Sequence, residues 1–152
     1  MKATLVIRRD NEKLHELLET FHKRARSGQN GKRAVFNEIR HELTLHSTIK
    51  KEVFYAELKT ASTAGNAGAL IDALMEDYSR IDKILSEIEN SNADDKVLES
   101  KMRRLSEIVE AHIAKEEDEL FAEARGALSE QKLEELGLEM DHRRRLFTQP
   151  AA

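Results

Sequence analysis

Two pairs of side chains, each spaced four residues apart, stand out for the chemistry they could do. His112 and Glu116 lie in the segment HIAKEEDELF at 112–121, and His46 and Lys50 lie in HSTIKKEVFY at 46–55. Residues four apart on a helix share one face, so His112 and Glu116 could grip one cation, and an imidazole with a carboxylate suits iron, manganese or zinc. His46 and Lys50 share a face in the same way, but an ammonium group cannot bind a metal. The sequence therefore raises the question of what Lys50 does at a ligand position.

The composition limits the partners that this chain could have. It contains 25 basic and 29 acidic residues, and the net charge of −4 gives no global attraction for nucleic acid or an anionic membrane. There is no cysteine, which excludes thiolate ligands and disulfides and fits a reducing cytoplasm. No apolar run approaches membrane-spanning length, and the start MKATLVIRRD is too short in its apolar part for a secretory signal. We expect a cytoplasmic protein that binds neither nucleic acid nor membrane.

Four long segments have apolar residues at alternating spacings of three and four, which is typical of amphipathic helices. A single proline, with 36% charged and 5% aromatic residues, also favours a nearly all-helical chain. We predict helices over about 4–25, 32–59, 67–90 and 95–125, joined by short polar or glycine-containing connections. Short connections imply antiparallel neighbours, hence an all-α, up-down-up-down four-helix bundle. A short C-terminal helix over about 129–147 follows, with Ser129 as its N-cap, and residues 1–152 are expected to form one domain.

Polar residues interrupt each apolar stripe at positions that normally face the core. They are Asn11 on the first helix, His46 and Lys50 on the second, Tyr78 on the third, and His112 and Glu116 on the fourth. Interruptions near the middle of antiparallel helices of similar length fall at similar depth, so we expect the six side chains to converge. An unpaired buried polar group costs roughly 1 to 3 kcal/mol, so the six must satisfy one another or bind a ligand.

From about Val6 to Arg125 the chain resembles the hemerythrin-like HHE cation-binding family. The resemblance is carried by VIRRDNEKLHELLETF, ELTLHSTIKKEVFYAEL, LMEDYSRIDKILSEIE and EIVEAHIAKEEDELFAEAR, in the family's order and spacing. It implies a four-helix bundle that holds two irons through a histidine on helix one, an H-x-x-x-E pair on helix two, a histidine on helix three and a second H-x-x-x-E pair on helix four. It also implies oxygen binding, iron or oxygen sensing, or the handling of peroxide or nitric oxide.

Only half of the ligands implied by the resemblance are present in this chain. His46, His112 and Glu116 are kept, whereas the helix-one histidine is Asn11, the helix-two glutamate is Lys50 and the helix-three histidine is Tyr78. In a two-metal site the helix-two glutamate would bridge the cations, and an ammonium at that position repels them. We therefore do not expect a normal diiron centre.

Two interpretations of the site remain open. In the first, an eroded non-haem site holds at most one iron through Tyr78, His112 and Glu116, and dioxygen or another small diatomic molecule is the ligand. A tyrosine phenolate suits ferric iron, and His46 or water could fill a further position. In the second, a metal-free bundle acts as an interaction or sensory module, with Lys50 paired to Glu116 in place of the metal. Lys50 could also lie at the stripe's edge and extend into solvent.

The sequence offers little support for an enzyme. It contains nothing that resembles a nucleophile triad, a phosphate loop or a nucleotide fingerprint, and we predict no catalytic residue. His15 lies one turn beyond Asn11 and could supply an imidazole in its place, although about 5 to 6 Å further along the axis. The run HRRR at 142–145 could bind an anion, but it is more typical of a solvated helix end.

Overall fold

The computed structural model describes residues 1–62, 65–91 and 95–148, with only the backbone of residue 95. These residues form five helices and contain no strand. We number them α1 (Ala3–Ser27), α2 (Lys32–Ile49, continued by Lys50–Tyr55 and Ala56–Ala61), α3 (Ala67–Glu89), α4 (Asp95–Lys115, continued by Glu116–Leu120 and Phe121–Ala127) and α5 (Glu130–Thr148). Every predicted helix is present, and each of its ends lies within about two residues of the prediction, which is the usual uncertainty of helix boundaries.

Helices α1 to α4 form an antiparallel four-helix bundle. α1 packs against α2 and α4, and α3 packs against α4 and the end of α2. Side-chain contacts establish the direction of neighbouring helices: Arg8 at the start of α1 bonds Glu117 near the end of α4 at 3.0 Å, and His22 bonds Ser106 at 2.7 Å. Later residues of α1 therefore contact earlier residues of α4, which means that the two helices run antiparallel. The predicted all-α, up-down-up-down architecture is confirmed.

Gly28 ends α1 because it adopts a backbone conformation that other residues rarely take. Its φ is +67°, in the left-handed region, and its N–H bonds the carbonyl of Ala25 at 3.3 Å. The following N–H, of Gln29, bonds the carbonyl of Arg24 at 3.0 Å. These two bonds form the Schellman arrangement, which satisfies carbonyls at the helix end and turns the chain towards α2.

The predicted apolar stripes form the core. The largest side chains that are fully buried come from all four bundle helices, and they include Ile7, Leu18, Phe21, Phe36, Ile39, Leu74, Ile81, Ile88, Met102 and Phe121. Burying a side chain of this size contributes about 1.5 to 3 kcal/mol, so these stripes supply most of the driving force for the bundle. In the part of the chain that the structure describes, no helix has the length and apolar character needed to cross a membrane.

Helix α5 is a full-length helix of 19 residues that lies along α1 and α2. Its first turn is capped by Ser129, whose Oγ accepts from the N–H of Lys132 at 3.1 Å. The helix passes very close to the start of the chain at Gly137, where an added Cβ would lie 1.9 Å from the carbonyl oxygen of Met1. Only a glycine permits this approach. The predicted N-cap is confirmed. Leu133, Leu136 and Met140 of α5 add to the core from outside the four-helix bundle.

Helices α2 and α4 each contain one π-helical segment, in which an extra residue widens the helical turn. The segments are Lys50–Tyr55 and Glu116–Leu120, and each begins at the second residue of a histidine-plus-four pair. The change of register, together with the cover that α5 provides, leaves three consecutive side chains buried, Val53, Phe54 and Tyr55. Single π turns within α-helices occur frequently at functional sites.

Candidate functional site

The carboxylate of Glu116 is the centre of a buried polar cluster. Glu116 is 0% exposed and opens the π segment of α4. Lys50, which opens the π segment of α2, donates from Nζ to Oε1 at 3.1 Å and to Oε2 at 3.2 Å. Asn11 of α1 donates from Nδ2 to Oε1 at 3.0 Å, and the hydroxyl of Tyr55 donates to Oε2. Three helices therefore meet at one carboxylate.

Lys50 and Glu116 are both charged in this arrangement. Burial opposes ionisation of Glu116, but the Lys50 ammonium, together with His112 and the hydrogen bonds from Tyr55 and Asn11, lowers the pKa of the carboxyl below its ordinary value. Burial likewise opposes the charge on Lys50, and the Glu116 carboxylate raises the pKa of Lys50 above its ordinary value. Lys50 is only 5% exposed, so the alternative in which it extends into solvent is wrong. The predicted contact between Lys50 and Glu116 is confirmed.

His112 and Tyr78 complete the cluster from α4 and α3. His112 donates from Nδ1 to Asp77 Oδ2 at 3.1 Å, and its Nε2 lies 3.8 Å from Glu116 Oε2. The rings of Tyr78 and His112 pack together with their centroids 4.5 Å apart. Within the described residues, His112 Nε2 and the Tyr78 hydroxyl are buried without a hydrogen bond of good geometry. In the part of the chain that the structure describes, these two atoms lack a well-aligned partner, although Lys50 and Tyr55 lie close to the Tyr78 hydroxyl.

Burial decides the protonation state of both rings. Burial, followed by the nearby Lys50 ammonium, lowers the pKa of His112 to about 4, so the imidazole is neutral at physiological pH. Burial raises the pKa of Tyr78 to about 12, although the Lys50 ammonium acts in the opposite direction. Tyr78 is therefore a phenol in this structure, and His112 presents a neutral Nε2 to the centre.

His46 lies in a second polar cluster, on the side of the bundle that α5 covers. Its ring lies against the Glu42 carboxylate, and its Nδ1 is 3.6 Å from Asp10 Oδ2. Arg144 of α5 places Nη1 3.0 Å from His46 Nε2 and Nη2 3.3 Å from Glu42 Oε2. The expectation that all six polar interruptions share one cluster is therefore correct for five of them, and both ring nitrogens of His46 face other groups.

The structure also places two charged residues that the sequence left outside the central cluster, Arg144 and His15. The interpretation of the HRRR run as a solvated helix end is wrong for Arg144, because its guanidinium bonds the buried His46 and Glu42. His15 lies outside the central cluster, as its side chain is 50% exposed and bonds Glu110 Oε1 at 2.7 Å. His15 thus does not take the place of the imidazole that Asn11 lacks.

Sequence reasoning missed three side chains that shape the two clusters. Tyr55 was outside the predicted stripe because the π segment changes the helical register after Lys50. Asp77 directly precedes Tyr78 and was not selected as a site residue, yet its carboxylate orients His112. Glu42 lies one turn before His46, and that i, i+4 spacing was the available signal for their contact.

The central cluster does not fit a two-metal centre. The Lys50 ammonium bonds both oxygens of Glu116, which leaves no carboxylate to bridge two cations. Among the side chains of the described ranges, no group of three or more histidines, aspartates and glutamates is arranged to hold a metal ion. The predicted one-cation ligands Tyr78, His112 and Glu116 do lie together, but a cation could reach the carboxylate only if Lys50 moved away.

Comparisons with known proteins agree with the helical arrangement. A family model described as the hemerythrin HHE cation-binding domain matches residues 3–124. A DNA nickase from Nostoc sp. strain PCC 7120 is 28% identical over 104 residues, which cover 68% of this chain and 28% of the nickase. The chain thus spans well under two thirds of that relative's length. No solved structure matches the chain. This chain belongs to the hemerythrin HHE cation-binding domain family.

Proposed function

We propose that this chain is a metal-free member of its family, in which the Lys50–Glu116 ion pair replaces the metal and the bundle acts as an interaction module. The observation that carries this proposal is the position of Lys50 Nζ, 3.1 Å and 3.2 Å from the two oxygens of the fully buried Glu116. The ammonium supplies the positive charge that the carboxylate would otherwise receive from a cation. Asn11 and Tyr55 satisfy the remaining acceptor capacity of Glu116.

Electrostatics opposes a cation beside this ion pair. At an effective dielectric constant of about 20, a unit charge about 4 Å from a divalent ion raises its energy by about 8 kcal/mol. Deprotonation of Lys50 would remove this repulsion, but the raised pKa of Lys50 makes the neutral amine rare at physiological pH. A cation must therefore compete with an ammonium that is already bonded to both carboxylate oxygens.

A second candidate function, a one-iron protein, is favoured by the unsatisfied atoms at the centre. His112 Nε2 has no hydrogen-bond partner of good geometry among the described residues, and Asp77 anchors the other ring nitrogen. A carboxylate behind a histidine is the usual support of a metal-bound imidazole. Tyr78, His112 and Glu116 would hold the ion once Lys50 had moved. A bound iron would supply a position for dioxygen or another diatomic ligand.

The role as a module is compatible with the comparison with the Nostoc protein. That relative, named a DNA nickase, is much longer than the stretch that it shares with this chain. A stretch similar to this chain therefore occurs there within a longer protein. We propose a protein partner for the present bundle rather than DNA, because the net charge of −4 gives no general attraction for a polyanion.

Iron loading distinguishes the two candidates. The purified chain is exposed to ferrous iron in air, passed through a desalting column and measured for iron content and visible absorption, with Tyr78→Phe treated in parallel. The metal-free module predicts iron far below one per chain and no visible band in either protein. One iron per chain with a broad phenolate-to-iron band that disappears in Tyr78→Phe would refute the module and support the iron protein.

A further inference from the structure

The outer face of α5 exposes apolar side chains that the bundle does not cover. Among the described residues, seven large hydrophobic side chains are exposed, and five of them belong to α5 or to the start of the chain, which packs against it. The five are Met1, Leu5, Leu138, Leu146 and Phe147. Leu138, in the middle of α5, is 64% exposed. Leu138 and Leu146 lie on the outer side of α5, whereas Phe147, nine residues after Leu138, lies on the opposite side near the end of the helix. Leu138 is therefore the exposed apolar side chain at the middle of the outer face.

The acids of α5 precede its three arginines, although Lys132 lies among the acids and the acids extend to Glu139 and Asp141. Glu130, Glu134 and Glu135 lie in its first half, and His142, Arg143 and Arg145 lie in its second half. Glu130 pairs with Lys2, Glu135 with Lys132, and Arg143 with Glu52 and Glu139. Glu134 and Arg145 are both exposed and have no ion pair within the described residues. Two opposite charges on this face therefore remain available to a partner.

Glu134, Leu138 and Arg145 form one stripe along α5. Positions four and eleven residues apart return to nearly the same side of a helix with 3.6 residues per turn. The exposed members of the stripe are an acid at one end, a leucine in the middle and a base at the other end. Asp141 lies at the inner edge of the stripe, where its carboxylate pairs with Arg9 of α1 at 3.0 Å. Because the acid and the base lie at opposite ends, the charges of this stripe are complementary to those of the same stripe in a second, antiparallel copy.

We propose that α5 pairs with α5 of a second copy of this chain, antiparallel about a twofold axis. Glu134 of each copy then faces Arg145 of the other copy. In that register Leu138 lies at the level of Asp141 of the second copy, whose carboxylate is paired with Arg9 of its own copy. The two leucines are then three residues apart, about 4.5 Å along the axis. They cover each other at the centre of the contact. A parallel pairing brings like charges together at both ends and is disfavoured.

The dimer does not depend on what occupies the centre of the bundle. Its contacts use the outer face of α5, whereas Arg144 and Met140 lie on the inner face, against α1 and α2. Iron content reports on the centre, and molecular mass reports on α5. Failure of the dimer would therefore leave the proposed replacement of the metal standing, and the reverse also holds.

Light scattering combined with size-exclusion chromatography tests the dimer on the full chain. The monomer has a mass of 17.4 kDa, and the native protein is expected to approach twice that mass as its concentration rises. Glu134→Arg and Arg145→Glu each place like charges opposite each other, so each variant should weaken dimerisation by about tenfold or more. The Glu134→Arg/Arg145→Glu double variant exchanges the two charges and should restore the homodimer. An equimolar mixture of the two single variants should form a heterodimer for the same reason.

Two controls keep the result interpretable. Met75→Ser removes an exposed apolar side chain from α3 and should leave the dimer unchanged, whereas Leu138→Ser should weaken it. Far-ultraviolet circular dichroism verifies that every variant remains helical. A native protein that stays monomeric up to millimolar concentration would overturn the proposal. So would single charge variants that dimerise as well as the native chain, or a double variant that fails to recover.

Discussion

Replacing Lys50 with methionine is the sharpest test of the buried ion pair. Methionine keeps an unbranched side chain and removes the ammonium, so Glu116 loses two of its four hydrogen bonds and the adjacent positive charge. Asn11 and Tyr55 remain as donors. Breaking a buried ion pair by removing one partner costs about 3 to 5 kcal/mol, because the other charge stays in the core. A loss of this size is a large part of the 5 to 15 kcal/mol that typically stabilises a domain.

The Lys50→Met variant should also reverse the direction in which the titration of Glu116 makes the folding stability depend on pH. In the native protein the pKa of Glu116 lies below its ordinary value of 4.5. Its contribution to stability is therefore complete above that value and is lost as the pH falls through the lower folded pKa. In Lys50→Met, burial acts without the ammonium, so the folded pKa is expected above 4.5. The variant should then gain stability, relative to the native protein, as the pH falls towards 4.5.

Urea unfolding followed by circular dichroism measures both effects. Lys51→Met is the matched control, since the Nζ of this neighbouring lysine lies 4.8 Å from the Tyr78 ring centroid and its side chain is partly exposed. It should lose less than about 1 kcal/mol. The Lys50→Met/Glu116→Leu variant removes both charges and should recover most of the loss. A Lys50→Met protein within about 0.5 kcal/mol of the native free energy of unfolding, with an unchanged pH profile, would refute the reasoning.

The neighbouring side chains lead to four further predictions. Tyr78→Phe removes a hydroxyl without a well-placed partner and should change the free energy of unfolding in urea by less than about 1 kcal/mol. Arg144→Ala removes the guanidinium beside His46 and should cost about 1 to 2 kcal/mol, with faster hydrogen exchange in α5. Because the pKa of His112 falls from 6.5 to about 4 on folding, stability should decline by up to about 3 kcal/mol as the pH falls from 6.5 to 4. This decline should be smaller in His112→Gln. The combination Asn11→His, Lys50→Glu and Tyr78→His should bind two irons per chain, and uptake of only one would contradict the assignment of the ligand positions.

The helices could be predicted closely because local signals and long-range packing agree. Apolar residues recur every three or four positions in each bundle helix, and Gly28 ends α1 with a φ of +67°. The fifth helix was recognised from its cap and its three apolar residues. Its position against α1 and α2 was not, because the close approach at Gly137 to Met1 depends on a tertiary contact that no local pattern indicates.

The positions of the central side chains could be predicted where spacing along one helix determines the face on which a residue lies. His112 and Glu116, four residues apart, both lie buried in the central cluster, and Lys50 was expected beside Glu116 because each occupies the same position of its pair. The position of Tyr55 could not be obtained in this way. Periodicity assumes 3.6 residues per turn, and the π segment after Lys50 adds a residue. His46 was misplaced because its partner Arg144 comes from α5, whose packing was unknown.

The charge balance explains how the centre can keep its shape without a metal. According to the family resemblance, the position of Lys50 normally carries a glutamate, so the substitution changes the local charge by two units, which equals the charge of one divalent ion. Lys50 and Glu116 then neutralise each other, and Asn11 is a neutral residue at a position where a neutral histidine would bind. Both π segments begin at Lys50 and Glu116, so the widened turns lie at the level of the ion pair. In the proposed metal-free function, the ammonium of Lys50 would supply the electrostatic part of a metal's role, and it would offer no open coordination position for an oxygen molecule.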